Sequence, residues 1–162
     1  MHNHKVKVID GHRFGKGVLA IEDIAKGEVI AEFDGNFYIA EKATLLPNEA
    51  PDFVRNHGIQ YGETQYRSGI SFASFVNHSC DPNCGIKDLF KIVAMRKIPK
   101  GEEITWDYEM SEDSDWRMEC ECGSDNCRKV IGAYKNLPHE VKKKYKGFIS
   151  EWLVKKYGEI KD

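Results

Sequence analysis

Five cysteines carry the first chemical information in this chain. Cys120, Cys122 and Cys127 fall within eight residues, in the string C-E-C-G-S-D-N-C, and Cys80 and Cys84 stand in N-H-S-C-D-P-N-C. An odd number of cysteines does not read as a disulfide framework. Structural zinc takes four thiolate or imidazole ligands in a tetrahedron, and loops with glycine and asparagine turns bring several thiols to one point. The polar, turn-forming neighbours of the triple favour a metal site over buried free thiols used as small hydrophobes. A redox pair finds no C-x-x-C to support it.

Three further segments are candidates for chemistry: Gly15-Lys16-Gly17-Val18, Asn77-His78-Ser79-Cys80-Asp81-Pro82-Asn83 and Glu102-Glu103-Ile104-Thr105-Trp106-Asp107-Tyr108. Singly each is modest. A G-x-G is a common tight turn and lacks the rest of a dinucleotide fingerprint. An N-H-S in a loop is ordinarily a hydrogen-bonded corner, and a tyrosine at a strand end is ordinarily core edge.

Their order and combination, with the C-x-C-x-x-x-x-C-R that follows, resemble the SET-domain protein lysine methyltransferases that carry a post-SET zinc site. The resemblance covers about Val6 to Ile131. It implies a mainly β fold with some α, in which small curved β-sheets are joined by a pseudoknot that passes the N-H-S-C segment beneath the D-Y segment. It further implies a SET domain over 1–110 and a post-SET zinc segment over 111–134, while 135–162 read as a C-terminal amphipathic helix by their own apolar spacing. In the family, the G-x-G turn and the N-H pair hold S-adenosylmethionine. Lys16 and Gly17 would then contact it mainly through backbone, with Asn77 and His78 on its adenine side. Cys80 becomes the implied fourth metal ligand beside Cys120, Cys122 and Cys127, which leaves Cys84 as a small thiol with no assigned role.

The implied reaction moves a methyl group from a sulfonium to a lysine amine. A free lysine with a pKa of about 10.4 is mostly ammonium at neutral pH and has no lone pair to attack. A narrow aromatic channel lowers that pKa by desolvation and aligns the reacting atoms. Tyr108 matches the family's catalytic tyrosine. Trp106, Tyr61, Tyr66 and Phe72 are the candidate channel walls, with Phe75 beside them, and each is equally readable as an ordinary core residue. Trp106 departs from the Phe or Tyr usual at its position, which favours one or two methyls over three. Ser74 departs from a frequent Arg, and Lys129 from a frequent Gly. The rival reading is a catalytically weak SET-fold module that binds basic peptides.

The elements that must position these residues are short. Lys5 to Ile9 alternates polar and apolar, and Gly17 to Ile21 and Glu28 to Phe33 are Val/Ile-rich, so all three predict strands, with Ala25-Lys26-Gly27 as a turn. Tyr38 to Gln60, broken by Pro47 and Pro51, predicts a helical turn plus loop. Phe90 to Met95 and Glu103 to Tyr108 predict two more strands around the turn Ile98 to Gly101. After Pro138, Val141, Tyr145, Phe148, Ile149, Trp152, Leu153 and Tyr157 repeat as the stripe of one amphipathic helix, with Gly158 placed to end it.

The chain has 162 residues, enough for one domain, and its 41% hydrophobic and 31% charged content reads as globular. No apolar run reaches the roughly 20 residues of a membrane helix, and the first ten residues lack a secretory signal's apolar stretch, so an intracellular protein is expected, nuclear or cytoplasmic. A net charge of -2 offers no broad basic face, so no nucleic-acid partner is expected. From Glu102 to Asp125 ten acids face one base, Arg117, and from Lys129 onward nine lysines face four acids. The acidic stretch is either a solvated face or the border of a groove for a basic protein, a histone tail or another lysine-bearing partner.

Overall fold

The computed structural model describes residues 3–12, 15–40, 58–69 and 72–162. The expected loop between Tyr38 and Gln60 falls largely on 41–57, outside the described residues.

Strands β1 (Val6–His12) and β2 (Gly15–Ala20) form an antiparallel ribbon in which Val6 faces Ala20 and Val8 faces Val18. The alternation seen in the sequence turns Val6, Val18 and Ala20 into the core. Strand β3 (Val29–Glu32) enters the principal sheet, and β4 (Phe37–Ile39), β5 (Ile59–Gln60) and β6 (Gln65–Arg67) make a small sheet in the order β4-β6-β5. A tight helical turn, Phe72–Phe75, leads into β7 (Asn77–His78). Then come β8 (Cys84–Lys87), β9 (Lys91–Ala94) and β10 (Thr105–Trp106). Gly27 and Gly101 close the expected turns at φ +86° and +91°, backbone that costs a glycine little.

The principal sheet has the order β3-β9-β8-β10-β7. Strand β10 lies between β7 and β8 and runs parallel to both, with Thr105 opposite Asn77, and Trp106 opposite both His78 and Cys84. A late strand is thereby inserted between two earlier ones that a short loop joins, the threading expected of the pseudoknot. The expected strand over Glu103 to Tyr108 is confined to Thr105–Trp106, because Asp107 then caps a tight helical turn, Tyr108–Met110, by accepting the Glu109 N–H.

Beyond it, β11 (Met118–Glu119) and β12 (Val130–Ile131) pair antiparallel around the cysteine loop. The C-terminal stripe is two helices rather than one: α1 (His139–Lys144) and α2 (Glu151–Tyr157). The apolar spacing survives the break, but Gly147 at φ +83° turns the chain out of the first helix. The freed backbone is satisfied by tertiary partners, with Ile86 N–H donating to the Phe148 carbonyl and Ser150 N–H to that of Met110. Gly85 permits this docking, since a Cβ there would stand 2.6 Å from that of Phe148. Among the described residues no helix is long and apolar enough to cross a membrane.

Candidate active site and metal centre

Asn83, fully inside the loop that joins β7 to β8, explains why the two motifs sit together. Its amide donates to Glu102 Oε1 at 2.8 Å and to the Glu103 carbonyl at 2.7 Å, and its Oδ1 accepts the Thr105 N–H at 3.0 Å. Asn77 stitches the third motif in, donating from Nδ2 to the Lys16 carbonyl at 2.9 Å and to Glu103 Oε1 at 3.0 Å. Lys16 and Gly17 are on β2, Lys16 exposed and Gly17 buried; Lys16 pairs with Asp10 at 2.6 Å and lies 5.6 Å from the centre of the Phe75 ring.

His78 is buried beside Tyr108, their rings 5.2 Å apart. The Tyr108 N–H donates to its Nδ1 at 3.3 Å, so the neutral ring carries its proton on Nε2, which faces Cys80 Sγ at 3.4 Å. Burial pulls the His78 pKa down to about 4, with the Arg128 charge adding to the effect and Asp107 opposing it, so the neutral form is the one present at physiological pH.

The Tyr108 hydroxyl donates to the Val76 carbonyl at 3.2 Å, and burial raises its pKa, which keeps the proton on oxygen. Its ring stands 5.0 Å from that of Trp106 and 6.5 Å from that of Trp116. Trp106 is 4% exposed, packs edge-on against Phe33, and holds a buried indole N–H with no acceptor among the described residues. Tyr66 is buried on β6, its pKa raised by burial and the nearby Glu112. Phe72 packs partly buried against the core, whereas Tyr61 belongs to a separate aromatic group with Phe37 and Phe90 at 5.7 and 5.2 Å.

Cys80, Cys120, Cys122 and Cys127 hold their sulfurs within 4.8 Å of one another, with Cys80 and Cys120 at 3.8 Å. A zinc ion with Zn–S bonds of about 2.3 Å needs tetrahedral sulfurs about 3.8 Å apart, so this donor set fits it. The N–H of Arg128 points at Cys80 Sγ at 3.4 Å and that of Cys80 at Cys122 Sγ at 3.5 Å. Burial raises the Cys122 pKa, but the Ser124 hydroxyl and the amides of Cys80 and Ser124 outweigh it and bring the thiol to about 6, ready to ligate as a thiolate. Cys84 lies outside the group, fully buried against β10, with its pKa pushed up by burial.

The acidic stretch is only in part available as the solvated face or groove border expected from the sequence. Asp107, Glu109 and Asp113 are buried. Arg128 Nη2 binds Asp107 Oδ2 at 2.7 Å and Glu109 Oε2 at 2.6 Å, the Gly132 N–H donates to Glu109, and Asp113 takes Lys156 at 2.9 Å and the Tyr157 hydroxyl at 2.6 Å. Only Asp115, Glu119, Glu121 and Asp125 are left on the exposed surface. Reading by charge alone missed Arg128, Trp116 and Tyr145; the arginine beside the last cysteine, facing a run of acids, was the available signal.

Two of the three departures from the resembling pattern, Ser74 and Lys129, have local explanations. Ser74 is buried and its hydroxyl donates to the Gly69 carbonyl at 2.5 Å, a space with no room for an arginine. Lys129 has φ +66°, a left-handed backbone that favours glycine, and its carbonyl receives the Cys120 N–H at 2.7 Å.

Known proteins fit this architecture. Residues 15–109 match the SET domain family, and the chain belongs to it. It is 30% identical over 142 residues to "Histone-lysine N-methyltransferase trithorax" of Drosophila virilis, covering 78% of this chain and 4% of that protein. It is 32% identical over 139 residues to the human "Histone-lysine N-methyltransferase 2D", covering 71% of this chain and 2% of that protein. The chain thus spans a small fraction of these relatives' length. Among solved structures, that of KRYPTONITE in complex with mCHG DNA and SAH is similar with a TM-score of 0.58 and 25% identity, over 77% of this chain and 28% of that one.

Proposed function

We propose that this chain transfers methyl groups from S-adenosylmethionine to the side-chain amine of a lysine in a basic protein, a histone tail being the first candidate. The observation that carries the reading is the parallel pairing of Asn77–His78 with Thr105–Trp106, which gathers the G-x-G turn, the N-H pair and Tyr108 at one place. The names of the relatives and the SAH in the solved neighbour support it.

The methyl donor supplies an electrophilic carbon on a sulfonium. The chain's own residues do the rest. Asn77 tethers Lys16 at the start of β2, where the exposed Gly15 leaves the backbone free of a Cβ to approach a ligand. Tyr108, kept protonated, orients the amine through its hydroxyl together with the Val76 carbonyl it already touches. The aromatic rings of Trp106 and Trp116 exclude water from that place, which favours the neutral amine over the ammonium. Zinc at the four thiolates would fix the β11–β12 hairpin, and with it Trp116, beside Tyr108. The indole of Trp106 takes up space near the amine, so the reading favours mono- or dimethylation.

Incubation with labelled S-adenosylmethionine and core histones, and in parallel with cell lysate, tests the reading once the labelled lysine is identified by mass spectrometry. Label on a lysine that disappears in Tyr108→Phe is expected. Tight S-adenosylmethionine binding with no transfer to any protein would overturn it in favour of a peptide-binding module.

A further inference from the structure

Among the described residues the strongest unexplained arrangement is the path of the C-terminal segment. From Tyr145 onward it runs alongside the stretch that begins at Asp107 and meets it step by step. The Tyr145 hydroxyl donates to Asp107 Oδ2 at 2.8 Å, the Ser150 N–H to the Met110 carbonyl at 2.9 Å, and the Trp152 indole N–H to the Ser111 carbonyl at 2.9 Å. Lys156 and Tyr157 complete the series on Asp113.

We propose that Tyr145 is a positioning residue for Tyr108, acting through Asp107. This rests on the methyltransferase reading given above. Asp107 is fully buried and sits between Trp106 and Tyr108 in the chain. Its Oδ1 accepts the Glu109 N–H at 3.1 Å and so sets the tight turn on which Tyr108 stands, while its Oδ2 accepts from Arg128 and from Tyr145. Arg128 comes from the cysteine loop and Tyr145 from the end of α1. The two donors therefore hold one carboxylate from opposite modules, and neither alone fixes its rotation about the side-chain bonds. Tyr145 is itself immobilised, 3% exposed in the core. A small rotation of Asp107 releases the cap, shifts Tyr108 relative to His78 and Val76, and misaligns the hydroxyl at the reacting atoms.

Tyr145→Phe keeps the ring and removes the bond to Asp107 together with the longer 3.5 Å contact to the Cys80 carbonyl. Tyr157→Phe removes a comparable bond from the far end of α2 and serves as the structural control. Turnover, KM for a lysine peptide, unfolding midpoint and amide exchange of residues 107–111 are measured for both. The expected result for Tyr145→Phe is a kcat lowered about tenfold with KM within twofold, and exchange at Glu109 accelerated about tenfold. Tyr157→Phe should leave kcat and that exchange within twofold at a similar midpoint. Unchanged kcat and exchange in Tyr145→Phe, or equal losses in both variants, would overturn the proposal. If the parent protein methylates nothing, the exchange measurement still decides whether Tyr145 holds the Tyr108 turn, and the enzymatic reading fails separately.

Discussion

His78 Nε2 and Cys80 Sγ lie 3.4 Å apart, so the ring that takes the Tyr108 amide on one nitrogen faces a candidate metal ligand with the other. Ligand orientation through such outer hydrogen bonds is a general feature of metal sites. Here the connection runs from the metal centre to the catalytic candidate in two bonds.

Metal removal should therefore be felt at Tyr108. The purified protein is expected to carry one zinc per chain, and chelation should lower both the unfolding midpoint and methyl transfer, with recovery on adding zinc back. Cys122→Ser should do the same in part. Elemental analysis that finds a folded, active preparation without zinc refutes this.

Tyr108→Phe removes a single hydroxyl from a partly buried ring. The fold and S-adenosylmethionine affinity should persist while kcat falls about 100-fold. Calorimetric binding of the donor and single-turnover transfer measure the two effects, and full turnover in the variant would remove Tyr108 from its role.

Trp106→Phe tests product multiplicity. The substitution vacates volume beside Tyr108, so products should shift toward higher methylation states if neighbours do not refill the space. It also deletes a buried N–H with no acceptor among the described residues, which offsets part of the lost packing by about 1–3 kcal/mol. Mass spectrometry of a methylated peptide checks this, and trimethyl-lysine as the main product of the parent enzyme would contradict the restriction.

The acids divide into two experiments. Asp115, Glu119 and Asp125 are exposed, so neutralising them should raise KM for a basic peptide a few-fold at low salt and abolish most of the salt dependence. Arg128→Met should instead destabilise the fold by about 3–5 kcal/mol, because it strands two buried carboxylates. A salt-insensitive KM in the parent protein would deny the exposed acids any part in peptide attraction.

Lys129→Gly relieves a left-handed backbone that costs about 1–3 kcal/mol, against about 0.5–1 kcal/mol of extra glycine entropy in the unfolded chain. The unfolding midpoint should rise by a few degrees in thermal melts of the metal-loaded protein. A lower midpoint would show that the lysine side chain holds something the backbone argument omits.

The ribbon β1–β2, the strands around residues 30 and 92 and the turns at Gly27 and Gly101 were legible because each obeys a local rule, alternation or a glycine stop. The motifs were legible through their order along the chain. What was not legible depends on long-range partners. Gly147 breaks a periodic stripe that reads as one helix, because Ile86 and Met110 take the backbone just after it, at Phe148 and Ser150. Asp107, Glu109 and Asp113 read as surface acids because nothing local reveals that Arg128 and Lys156 meet them in the interior. Tyr61 and Tyr108 share a residue type and an aromatic context, and only the sheet order separates the groups they join.

Threading β10 between β7 and β8 has a consequence for how the chain reaches this state. While residue 105 is still inside a ribosome, β8 can pair with β9 on one side only, and the row of amides and carbonyls that it and β7 hold for β10 is open. The pairing then closes over a long loop, which places such topologies among the slower folders, on the order of milliseconds to seconds. Fragments that stop short of Trp106 present that gap permanently and should collect as aggregates, whereas those extended past Tyr157 should refold after dilution from denaturant.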